Sequence, residues 1–264
     1  MTIKTNRVRA FLLRHIYEIW GSIDRKADIF LFPVIDILVF GLLTTYIEKF
    51  QLKSGIAGAI MGGIILWTLV YNITRDISFT LLEDAWNRNL YNMFSSPLQL
   101  SEVVAGTLII SVLKALAAIG VMLALAYGLF GFNLFQAGLF AAFYILNIFM
   151  FGWAFGFFTS SLILRFGTKV QAVSWSLILL IYPISGVFYP LSVLPPFLAT
   201  VARFFSLSYI FEGLREILVN GTMPSGPDVI LILVLNAVYL VFGVFMFVTG
   251  FRNAKNRGWF INPI

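Results

Sequence analysis

Six stretches of this chain, 28–47, 55–74, 103–131, 134–164, 170–189 and 228–251, are almost continuously apolar. Each reaches the roughly 20 residues that a helix needs to cross the hydrocarbon core of a bilayer. A water-soluble fold offers no alternative home for them. Of the 264 residues, 60% are hydrophobic and 11% charged, whereas soluble domains run at about 45–50% and about 25%. Too few polar side chains remain to cover a soluble surface. The expected fold class is therefore an all-α polytopic membrane protein, with 1–264 forming one transmembrane domain of six helices.

The chain has no cysteine and one histidine, His15, which excludes thiolate and histidine-cluster metal sites within one copy. No Gly-x-x-x-x-Gly-Lys-Ser/Thr loop is present, so ATP hydrolysis by this chain alone is not expected. Ser185-Gly186 has no histidine in any span to activate it. Acidic residues of the spans are read as Asp28 and Asp36 on one helix and Asp228 at an edge, which leaves no facing pair of aspartates. An enzyme is not expected, and no basic patch interleaved with aromatics suggests nucleic acid. Residues 1–27 are basic and hold no apolar core of a signal peptide.

Within that segment Val8, Phe11, Leu12, Ile16, Ile19 and Trp20 recur at helical spacing, with Arg7, Arg14 and Glu18 opposite. The pattern predicts an amphipathic helix lying in the membrane interface; the alternative is an ordinary helix packed on protein. Orientation follows from the distribution of the 18 lysines and arginines. With the N-terminus inside, thirteen fall on the cytoplasmic side, including the tail at 252–264. Four fall outside (Lys49, Lys53, Arg203 and Arg215), and Lys114 lies within a span. This bias predicts that both termini are cytoplasmic, and the expected location is the plasma (inner) membrane.

Gly58 with Gly62, and Gly152 with Gly156, are small-residue pairs that allow close helix approach, either within the chain or between two copies. The phenylalanines Phe149, Phe151, Phe155, Phe157 and Phe158 are expected mostly to face lipid. In the fifth span Gln171, Ser174, Ile178, Tyr182, Ser185 and Tyr189 share one helical face. A polar and aromatic stripe avoids lipid, so it either packs on a neighbour or lines a translocation path. Asp36 and Lys114 lie at comparable heights in their spans. They either pair with each other, face a wet pathway where Lys114 attracts an anionic headgroup, or find separate partners.

Two segments lie outside the spans. The cytoplasmic one begins with a short amphipathic helix at 81–97, polar at Glu83, Asp84, Asn87 and Arg88 and apolar at Leu82, Trp86, Leu90 and Phe94. Ser95-Ser96-Pro97 stops it, and Ser101 is expected to cap the next helix, with Glu102 too early for a capping box. The other segment, 190–220, reads as two short helices that dip into the membrane and turn back. Pro195 and Pro196 interrupt it, and Arg203, Glu212, Arg215 and Glu216 punctuate it. Glu212 and Arg215 are spaced to pair on one helix face.

The order of these features resembles the membrane subunit of type-2 ABC exporters. The matching residues are the acidic-start helix, Asn-Leu, Ser-Pro-Leu and Ser-Glu of 81–106, and the Tyr-Pro, Leu-Pro, Ser-Tyr, Glu and Leu-Arg of 189–218. The likeness extends over essentially the whole chain, although Ser206-Leu207-Ser208 stands where many members have proline before the Ser/Thr-Tyr pair. The resemblance implies that Glu83, Asp84, Trp86 and Arg88 contact an ATPase subunit. It also implies that Gln171, Ser174, Tyr182, Ser185, Tyr189 and Lys114 line a pathway, and that Pro195, Tyr209, Glu212 and Arg215 form an external gate. ATP and Mg would be bound by the partner ATPase and no cofactor by this chain. The other implied partners are a second copy or homologous permease, and membrane lipids. The implied function is outward, ATP-driven movement of an amphipathic or lipid-linked substrate (a glycan-lipid, lipid or drug) by alternating access. An ion-coupled transporter and a noncatalytic membrane assembly subunit are the alternatives.

Overall fold

The computed structural model describes residues 4–49, 55–86 and 99–256, with side chains from 81 to 86 and at 168, 171, 173 and 175 left aside. Every regular element among the described residues is helical. In chain order they are α1 (Thr5–Gly21), α2 (Ile23–Glu48), α3 (Ile56–Trp86), α4 (Leu100–Phe130) and α5 (Leu139–Phe166). Then come α6 (Gln171–Ile181), α7 (Pro196–Ala202), α8 (Ser206–Asn220) and α9 (Gly226–Asn256). Five of them, α2, α3, α4, α5 and α9, are long and apolar enough to cross a membrane. The chain is an integral membrane protein.

The expected fifth span is the exception. Its helix, α6, stops at Ile181, about 16 Å long at 1.5 Å per residue and short of a bilayer core. Pro183 lacks an N–H and its ring clashes with the preceding turn, so the chain leaves α6 in turns. Gly186 then adopts φ +73°, a left-handed conformation suited to glycine. The segment 190–220 does form two short helices, α7 and α8, bent by 99° at their junction. No proline stands at this bend. The chain turns at Arg203–Phe205, and the Ser206 hydroxyl donates to Asn236 Oδ1 of α9 at 2.5 Å.

Close packing organises the bundle around α3 and α5. A Cβ on Gly152 would sit 2.7 Å from Ile73, and one on Gly156 would sit 2.9 Å from Ile77. These glycines therefore serve contact between α3 and α5 within the chain. Gly58 and Gly62 likewise face Phe132, with Leu214 and Leu218 of α8 also against Gly62. On the other side of α5, Gly243 of α9 lies directly against the Ala154 carbonyl. With neighbours on two sides, α5 buries Phe149, Phe151 and Phe157, and only Phe155 and Phe158 remain half-exposed. The expectation that most of these rings face lipid is thus corrected.

Some of the polar groups inside this apolar bundle bond to one another across helix contacts, as burial favours. Asn236 donates to the Asn147 carbonyl and side-chain oxygens at 3.1 and 2.9 Å, joining α9 to α5. Ser78 of α3 shares a hydrogen bond with Thr159 of α5 at 2.6 Å.

The N-terminal helix α1 lies on α4. Its Val8, Phe11 and His15 are buried, with the Phe11 ring pressed on Gly106, while Tyr17 and Trp20 are about 70% exposed. One face therefore meets protein and the other is left apolar and open. Glu18 gathers Arg14 at 2.8 Å and Arg25 at 3.0 Å. Burial works to raise its pKa, but the bonds from these two arginines overcome that and hold it below the usual carboxylate value.

Candidate functional site

Charged side chains inside the bundle define the site, and α3 places most of them. The sequence reading ends the second span at Thr74 because Arg75-Asp76 looks like the start of a loop. Instead α3 continues through both residues to Trp86. Successive helical residues point about 100° apart, so the two charges meet different neighbours. Arg75 pairs with Asp28 of α2 at 2.9 Å, and Asp76 pairs with Lys114 of α4 at 2.5 Å. Arg75 also lies over the Tyr71 ring, 5.5 Å from its centroid.

Of the alternatives open for Asp36 and Lys114, the structure shows separate partners and not the mutual pair. Lys114 takes Asp76, which sequence reasoning left out of the spans. Asp36 instead accepts a hydrogen bond from the Thr68 hydroxyl at 3.3 Å. With Asp76 as its neighbour, Lys114 is a neutralised group and not a free cation awaiting an anionic headgroup. Lys114 is 20% exposed and Asp76 9% exposed at the side chain.

Asp36 and Thr68 line a cavity of about 270 Å³ between α2 and α3, together with Asp28, Trp67, Tyr71 and Arg75. Trp67 forms its inner wall and its ring meets that of Tyr182, just beyond α6, at 4.3 Å between centroids and a tilt of 31°. The helix α2 is locally widened here. Pro33 supplies no N–H for the Ile29 carbonyl, and the turn Ala27–Leu31 has π-helical geometry. Such bulges recur at functional sites.

The expected polar stripe is divided by the end of α6. Ser174 and Ser185 are buried within the chain, and Ser185 donates to the Tyr182 carbonyl at 3.0 Å. Tyr182 and Tyr189 are half-buried, with the Tyr189 hydroxyl bonded to the Pro183 carbonyl. The Gln171 side chain lies outside the described residues.

At the far end of the bundle, α7, α8 and the start of α9 surround a second cavity of about 520 Å³. Ser208, Tyr209, Glu212, Glu216 and Asp228 contribute to its wall, and Pro195 caps the N-terminus of α7. Glu212 and Arg215 do not pair as their spacing suggests. Glu212 accepts the Leu191 N–H at 3.3 Å, while Arg215 donates to the carbonyls of Gly186 and Val187 at 2.5 and 3.3 Å. Both side chains thereby fasten the turn after α6 onto α8, because its backbone groups are short of partners where the helix has ended.

Among the proposed coupling residues, Glu83, Asp84 and Trp86 belong to the last turns of α3, with their side chains outside the described residues; Arg88 lies wholly outside them. The return of the chain is well defined. Gln99, not Ser101, is the N-cap of α4, and Glu102 at N3 accepts the Gln99 N–H at 2.9 Å, a capping interaction that corrects the sequence reading. Buried Glu102 also accepts the Lys4 N–H at 3.0 Å and meets Arg7 at 3.6 Å. The start of α1 is therefore tied to the start of α4.

Comparison with known families gives a match to the one described as ABC-2 type transporter, over residues 6–219. No curated protein matches the chain.

Proposed function

The chain belongs to the ABC-2 type transporter family, the membrane subunits that work with an ABC ATPase, and from this premise we propose that it is the permease of an exporter. Two permease chains, identical or homologous, would enclose the pathway, and ATPase subunits would dock from the cytoplasm on the helix at 81–97. ATP and Mg would be held by those subunits, and their closure would shift the spans between two packed arrangements. The substrate would be amphipathic or lipid-linked, reaching the pathway from the bilayer. The observation that carries this reading is the extent of the family match, which takes in both the loop at 81–106 and the helix pair α7–α8.

The reading is tested by co-expression with candidate ATPase subunits. A soluble ATPase is expected to co-purify with the chain, and vesicles holding both are expected to accumulate a lipophilic substrate only when ATP is supplied. Transport unaffected by removing the ATPase would overturn it.

Orientation has its own test. In this proposal α7 and α8 lie on the external side, and Arg215 and Glu212 hold the outer gate to the turn at 186–191. The chain has no native cysteine, so single cysteines can be read without background. Ser192→Cys and Asn220→Cys, both at exposed positions, should each react with an impermeant thiol reagent added outside intact cells. Labelling of only one would mean that α7–α8 crosses the membrane.

A further inference from the structure

Three carboxylates of α2, α3 and α4 have a basic partner among the described residues. Asp28 is matched by Arg75, Asp76 by Lys114 and Glu102 by Arg7. Asp36 has only the Thr68 hydroxyl as its partner among the described residues. It lies eight residues beyond Asp28, about 12 Å further along the helix. A carboxylate in that setting requires a cation, a proton or water to offset its cost.

The space around Asp36 is shaped for a cation. The cavity it lines, about 270 Å³, has Trp67 and Tyr71 in its wall, and aromatic faces attract ammonium groups once water is displaced. Phe32, also in the lining, is 53% exposed, so the cavity communicates with the outer surface of α2. The π-helical turn Ala27–Leu31 lies immediately before Phe32. Arg75 stands at one end, committed to Asp28, and would repel a second cation from that end and favour the place beside Asp36.

We propose that Asp36 anchors the positively charged head of an amphiphilic organic cation in the cavity between α2 and α3. Its apolar tail would extend past Phe32 along α2. The proposal deepens the permease reading by naming the substrate class of its membrane-side site, and it rests on that reading only for what happens after binding. The polarity is opposite to the one that a free Lys114 would have imposed.

The test uses the full chain in lipid nanodiscs with radiolabelled decyltrimethylammonium as the probe and decyl sulfate as the matched anion. Above the background of empty nanodiscs, the wild type is expected to show a saturable component of one cation per chain. Asp36→Asn should weaken it by at least about tenfold, the loss of a charge-assisted contact, while Asp36→Glu should retain it. Decyl sulfate should not displace the cation. A wild type with no saturable component, an Asp36→Asn chain that binds as well as wild type, or equal displacement by decyl sulfate would each overturn the proposal. Elution of Asp36→Asn at the wild-type position shows that lost binding is not lost folding. Because no ATPase is present, the outcome is independent of the permease reading: a wild-type complex that transports another substrate yet binds no cation removes the site alone.

Discussion

Replacing Lys114 with methionine is expected to destabilise the folded chain by about 3–5 kcal/mol, because it leaves Asp76 buried and unpaired. Asp76 is 7% exposed and bonded to Lys114 at 2.5 Å. Methionine keeps most of the apolar stem, so the loss belongs to the charge and not to packing. Thermal denaturation of the detergent-solubilised chain, followed by the loss of its monodisperse elution peak, measures the effect. Adding Asp76→Asn to Lys114→Met should recover most of the stability, since an amide is far less costly to bury alone than a carboxylate. If Lys114→Met alone melts with the wild type, the pair does not hold α3 to α4.

Reversing both charges of the proposed ATPase contact, Asp84→Arg with Arg88→Asp, is expected to abolish ATP-driven transport while leaving the membrane domain folded. In the proposed complex Asp84, in the last turns of α3, and Arg88 contact the ATPase. Each charge-assisted contact contributes about 1.5–3 kcal/mol, so losing one weakens the partner by roughly tenfold or more. The measurements are co-purification of the ATPase and the ratio of substrate moved to ATP hydrolysed. Either dissociation or futile hydrolysis fits the assignment. Full coupled transport by the double variant would reject it.

Long-range electrostatics was the least legible part of the sequence. The apolar run of the second span ends at Thr74, yet the helix continues through Arg75 and Asp76. What preserved the helix was the presence of Asp28 on one flank and Lys114 on the other, two residues distant in sequence. For the same reason the sequence left open whether Asp36 and Lys114 pair or find separate partners, since the azimuth of each on its helix is not written in the local pattern. Glu212 and Arg215 show the converse error. Their i, i+3 spacing permitted a pair, but the unbonded backbone left where α6 ends competed for both side chains. Pro183 is the local signal in the sequence for the early end of α6.

The sequence by itself determined the membrane class, the long apolar helices, the amphipathic N-terminal helix and the broken helix pair at 190–220. These depend on hydrophobic periodicity, length and prolines, which act through local geometry. The motifs of 81–106 and 189–218 were also enough to point to the family, since they are contiguous stretches of chain. Only the tertiary structure decided which charges are matched, that Gly152 and Gly156 face α3, and that half-buried Asp36 is left beside a cavity. Those outcomes depend on which face of each helix meets its neighbour. Helix rotation is fixed by the packing of the whole bundle, and the pattern along one helix in an apolar membrane span carries little record of it.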